Sequence, residues 1–113
     1  MELDPAAVLL SEPVERLEGR DLLLGLHGLG GNEHDLYSLR PMLPRGLVLA
    51  APRAPVRYGG GWSWWQVDER REEQTEADTG ARAILDWLDG LPPLRSLRVV
   101  GYSQGGAVAP PWE

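Results

Sequence analysis

Cysteine and lysine are both absent from the 113 residues, and histidine occurs only twice. Without cysteine there is no disulfide framework, no thiolate nucleophile and no cysteine-based metal site. Without lysine there is no Gly-Lys-Ser/Thr phosphate loop. All 11 basic residues are arginine, and 17 acidic residues bring the net charge to -6. That balance argues against nucleic acid and against anionic membrane surfaces. No apolar run approaches the length that spans a bilayer. Met1-Glu2-Leu3-Asp4 lacks the basic start of a secretory signal, so the chain reads as cytoplasmic. This length accommodates one domain at most, with a small core.

The residues that are present alternate between two periods. Ala6 to Leu10 is a short apolar run that suits either an edge strand or a helical turn. Leu22 to His27, after the polar Gly19-Arg20-Asp21, predicts a strand buried on both faces. Asn32 then suits a helix N-cap, with Asp35 following and Leu36, Leu39 and Leu43 at helical spacing. Pro41 limits that helix to about two or three turns. Leu47 to Ala51 predicts a second buried strand, stopped by Pro52 and Pro55. Arg57 to Trp65 is a glycine- and tryptophan-rich loop, and the charged run after it, including Asp68 to Glu73, reads as solvated surface. Thr75-x-x-Asp78 resembles a capping box for a helix with Ala81, Ile84, Leu85 and Leu88 on one face. Gly90 and Pro92-Pro93 close it, and Leu97 to Val100 predicts a third buried strand. Strand, helix, strand, helix, strand is the order of a parallel α/β sheet.

That third strand runs into Gly101-Tyr102-Ser103-Gln104-Gly105, the Gly-x-Ser-x-Gly of a nucleophile elbow. A strand delivers the serine into a sharp turn and a helix leaves at once, so Oγ is held up at the end of the sheet. A Cβ at Gly101 or Gly105 would collide where strand and helix backbones approach. The Gln104 amide, first in the helix, is free to donate to an anion. With 14 glycines in the chain the pattern alone is weak, and its context must carry it.

The glycine-rich turn Gly28-Leu29-Gly30-Gly31 supplies that context. A dinucleotide fingerprint would need glycine or alanine where Glu33 stands, and a carboxylate there would face pyrophosphate. A flavodoxin-like domain is disfavoured by the same missing phosphate chemistry. An oxyanion loop fits, with the Leu29 amide as its donor. His27 and His34 both precede the serine, whereas an elbow-type hydrolase places its acid and then its histidine after it. His27 therefore reads as a loop brace at the strand end, and His34 as an exposed residue in a first helical turn. Trp62, Trp64 and Trp65 serve equally well as loop anchors or as the apolar wall of an acyl pocket.

Taken together, Leu26 to Asp35, Ala51-Pro52-Arg53-Ala54-Pro55, Trp64-Trp65 and Gly101 to Ala107 resemble the phospholipase/carboxylesterase family of α/β-hydrolases, which includes acyl-protein thioesterases. The resemblance runs from residue 20 to 109. It implies a truncated α/β-hydrolase fold within 1–113, a parallel sheet with flanking helices ending at the elbow strand. It also implies Ser103 as nucleophile and the Leu29 and Gln104 amides as the oxyanion hole. Trp64 or Trp65 would lie near the substrate, with His27, Gly28 and Gly30 supporting the loop. The implied reaction is hydrolysis of small carboxylic esters or thioesters through an acyl-serine, with no metal or cofactor. After Ala109 the chain departs to Pro110-Pro111-Trp112-Glu113, and the family's later aspartate and histidine have no counterpart. A truncated reading frame with little turnover is the expectation. The alternative is a non-catalytic fragment that binds or self-associates through an exposed sheet edge.

Overall fold

The computed structural model describes residues 2–67 and 73–108. The run Leu22 to Leu26 forms the centre of the sheet. Strand β2 (Asp21–Leu26) pairs in parallel with β3 (Leu47–Pro52) on one side and β6 (Ser96–Gly101) on the other. Leu22, Leu24 and Leu26 are fully buried, as are Val48 and Ala50 from β3. The sheet order is β1 (Val8–Leu10), β3, β2, β6, so the elbow strand lies beside the strand that ends before His27, with Leu26 opposite Gly101.

The sheet is mixed, because β1 (Val8–Leu10) runs antiparallel to β3, with Leu9 opposite Ala51. A parallel arrangement would need a crossover of a dozen or more residues, usually helical. Residues 11–20 supply only one 3-10 turn, Val14–Arg16.

Further elements differ from the sequence pattern for local reasons. Helix α1 spans only His34–Tyr37, followed by a 3-10 turn at Arg40–Met42. Its start carries a reciprocal cap, with His34 N–H donating to Asn32 Oδ1 at 2.8 Å and Asn32 N–H to Asp35 Oδ2 at 3.2 Å. Its end is set by Ser38 Oγ donating to the Asp35 carbonyl at 2.7 Å, and by Pro41. The glycine-rich loop contains a hairpin of β4 (Val56–Tyr58) and β5 (Gly61–Ser63), turned through Gly59 at φ 56. Strand β6 is half buried. Leu97 and Val99 pack on the core, whereas Arg98 and Val100 alternate outward from an edge paired on one side only.

Helix α2 (Glu73–Asp89) begins before Thr75, so that residue lies inside the helix. Its buried stripe is rotated from the predicted one toward Ala83 and Ile84, with Ala81, Leu85 and Leu88 half buried. The cause is a close approach at Gly80, where a Cβ would lie 2.6 Å from the Trp64 carbonyl oxygen. The charged residues 68–72 and the tail 109–113 lie outside the described residues.

Candidate active site

The parallel register of β2 and β6 continues into the elbow, where Tyr102 N–H donates to the Leu26 carbonyl at 3.0 Å. Ser103 follows at φ 55 and is exposed, the one non-glycine residue with positive φ among those described. Such a conformation costs about 1–3 kcal/mol and persists only where its surroundings enforce it. Here they do. Helix α3 (Gln104–Val108) begins immediately, closed by Gly105 N–H to the Tyr102 carbonyl at 2.9 Å and Gly106 N–H to the Ser103 carbonyl at 3.0 Å. A Cβ on Gly101 would lie 2.5 Å from the Gly105 carbonyl carbon, and one on Gly105 would lie 2.6 Å from the His27 carbonyl oxygen. Both glycines of the motif are therefore places where backbones touch.

The loop after β2 lies against the serine. Gly28 fits closely against the elbow, since a Cβ there would lie 3.0 Å from the Tyr102 ring and 3.4 Å from Ser103 Cβ. His27 is buried below it with both ring nitrogens engaged. Ala54 N–H donates to Nε2 at 3.0 Å, which leaves Nδ1 to donate to the Gly28 carbonyl at 2.7 Å. Burial lowers the pKa of this imidazole and keeps it neutral, against the opposing pull of the Gly28 carbonyl and of Asp35 and Glu33. Gly30, at φ 80, completes the turn. The amides of Leu29 and Gln104 have no hydrogen-bond acceptor among the described residues.

A brace from the hairpin joins loop and elbow. Gly30 N–H donates to the Trp62 carbonyl and Trp62 N–H to the Gly31 carbonyl, each at 2.9 Å. One residue on, Gln104 occupies a buried position, its side chain accepting from Trp64 N–H at 2.8 Å and donating to Ser63 Oγ at 2.7 Å. Ser63 Oγ in turn donates a hydrogen bond to the Trp65 carbonyl at 2.5 Å. Trp64 is fully buried, its indole Nε1 donating to the His27 carbonyl at 2.8 Å and its ring centred 5.2 Å from the imidazole. Trp62 lies under the guanidinium groups of Arg53 at 4.7 Å and Arg57 at 5.3 Å. Arg53 also grips buried Glu33 through two bonds of 2.9 and 2.6 Å, which holds that carboxyl below its ordinary pKa.

A cleft of about 320 Å³ opens beside the serine, lined by Leu29, Trp65, Val67, Ser103, Gln104 and Ala107. Of the residues singled out from sequence, Ser103, Leu29, Gln104 and Trp65 meet here, while Trp64 and His27 lie beneath. His34 is exposed, and neither histidine ring bonds to Ser103 among the described residues. No group of three histidine, aspartate or glutamate side chains among the described residues could hold a metal. Sequence reasoning missed the side-chain role of Gln104, its partner Ser63 and the Glu33–Arg53 pair. The long sequence separations leave no local pattern to find.

No protein-family model and no curated protein matches the chain by sequence. Solved structures do match. A carboxylesterase from Mesorhizobium loti superposes with a TM-score of 0.68 and 24% identity, covering 94% of this chain and 56% of its own. Esterase PE8 gives 0.67 and 26%, covering 96% and 56%. Zea mays acyl-protein thioesterase 2 gives 0.65 and 26%, covering 90% and 48%. The chain spans about half the length of these structures. Its α/β fold is similar to theirs, in agreement with the resemblance to phospholipase/carboxylesterase proteins.

Proposed function

We propose that this chain carries the nucleophile and oxyanion elements of a serine hydrolase acting on small carboxylic esters or thioesters in the cytoplasm. The observation that carries the reading is Ser103, held at φ 55 in one cleft with Leu29 and Gln104. In this reading Ser103 Oγ adds to the acyl carbonyl and the alcohol or thiol leaves, giving an acyl-serine that water then cleaves. The free Leu29 and Gln104 amides receive the negative charge of the tetrahedral intermediate, each donor contributing about 10²–10³ in rate. Trp65 and Leu29 offer apolar surface to the acyl chain. The reading calls for no metal or cofactor.

The reaction also needs a general base, and neither histidine of the chain is placed to act as one. His27 has both nitrogens committed, and His34 is exposed without a bond to the serine. Loss of the base from such a triad lowers turnover by about 10⁶, so the 113-residue chain alone is expected to turn over little ester. A fluorophosphonate probe tests the site. Adduct on Ser103 that is absent from Ser103→Ala supports the reading, and an unlabelled serine contradicts it. The second reading, a non-catalytic chain that associates, is favoured by the outward-facing Val100 on the β6 edge.

A further inference from the structure

The end of the sheet opposite Ser103 carries a second cleft, of about 650 Å³, twice the volume of the one beside the serine. It is lined by Arg20, Arg45, Arg95 and Arg98 with the single carboxylate of Asp21. Its formation follows from the strand register. Asp21 is opposite both Leu47 and Ser96, so the segments entering β2, β3 and β6 deliver Arg20, Arg45 and Arg95 to adjacent positions. The first and last of these segments are tied together by Gly19 N–H to the Pro93 carbonyl at 2.9 Å and Arg95 N–H to the Arg20 carbonyl at 2.8 Å. Parallel neighbours lie only about 4.8 Å apart, which crowds like charges.

Compensation within the cleft is partial. Arg95 Nε stands 3.7 Å from Asp21, which also accepts from Ser96 Oγ at 2.6 Å, and Arg20 stands 3.8 Å from Glu12. Arg45 and Arg98 are exposed and have no ion-pair partner among the described residues. A concave surface of net positive charge on a chain of net charge -6 is a place where anions concentrate. Guanidinium forks match phosphate oxygens two at a time. No aromatic side chain lines the cleft, so nothing there would stack on a nucleobase.

We propose that this arginine cleft binds a small non-aromatic polyanion bearing clustered phosphate groups, independently of Ser103. The test is calorimetric titration of the intact chain with inorganic triphosphate at low salt, with ¹⁵N shift mapping. The expected result is one site that weakens with added salt, with shifts concentrated at 19–21, 45–47 and 95–98. Arg45→Ser with Arg98→Ser should weaken binding at least tenfold, while Arg82→Ser on α2 should leave it unchanged. A parallel arm with phosphatidic acid vesicles separates a free phosphate ligand from a lipid headgroup. Should that double variant fail to fold, the wild-type shift map still decides the matter. Absence of binding, shifts centred elsewhere, or equal weakening by Arg82→Ser would overturn the proposal.

Discussion

Ser103 owes its position to residues that act through backbone and buried amides. Gly101 and Gly105 are needed because strand, loop and helix backbones meet there, and this is legible in sequence once the apolar strand before Gly101 and the glycine-rich loop after His27 give the Gly-x-Ser-x-Gly pattern its context. The side chain of Gln104 was not legible, because its partners Ser63 and Trp64 lie 41 and 40 residues away. Its burial makes a strong prediction. Gln104→Ala leaves the buried Trp64 amide without its acceptor, at about 1–3 kcal/mol for an unsatisfied group, while Ser63 Oγ keeps its bond to the Trp65 carbonyl. Denaturant unfolding should show a loss in that range, and Gln104→Glu, which keeps the acceptor for Trp64 N–H, should lose less. An unchanged midpoint in Gln104→Ala would show that water or a rearranged loop replaces the bonds.

Among the elements, the buried strands β2 and β3 were readable from continuous apolar runs, and their order predicted an α/β sheet. The hairpin β4–β5 was hidden because its short strands, joined across three consecutive glycines, show no strand period. Helix α1 came out shorter than its leucine spacing suggests because the Ser38 bond and Pro41 end it early. Strand β6, which reads as a buried strand over Leu97 to Val100, is half exposed because it stands at the end of the sheet order and turns Arg98 and Val100 outward. Unprotected apolar edges template pairing with another chain. Light scattering after size exclusion should therefore show concentration-dependent association, reduced in Val100→Lys. A wild-type monomer at all concentrations would show that the edge is already protected.

For the molecule as a whole, His27 and Glu33, buried among the described residues, both contribute to the acid side of stability. The folded state lowers the pKa of His27, chiefly by burial, so below its ordinary value of about 6.5 the unfolded chain binds the proton and the folded one does not. Stability is present above that value and falls as pH drops through it. Glu33, lowered by Arg53 from about 4.5, contributes stability above its ordinary value that is lost on further acidification through the folded one. Melting temperature should thus decline in two limbs below neutrality, with the lower limb flattened in Glu33→Gln. A flat profile from pH 7 to about pH 4 would contradict this linkage.

The account rests on a serine posed for acylation without a histidine to activate it. Intact-mass spectrometry of the purified chain during incubation with nitrophenyl acetate reads both parts at once, with Ser103→Ala beside it and nitrophenol release recorded. The predicted result is slow, single acylation at Ser103, absent from the variant, with release scarcely above it. Rapid continuous release that disappears in Ser103→Ala would contradict the account by showing that a base does reach the serine. A chain that stays unacylated would contradict the posed nucleophile itself.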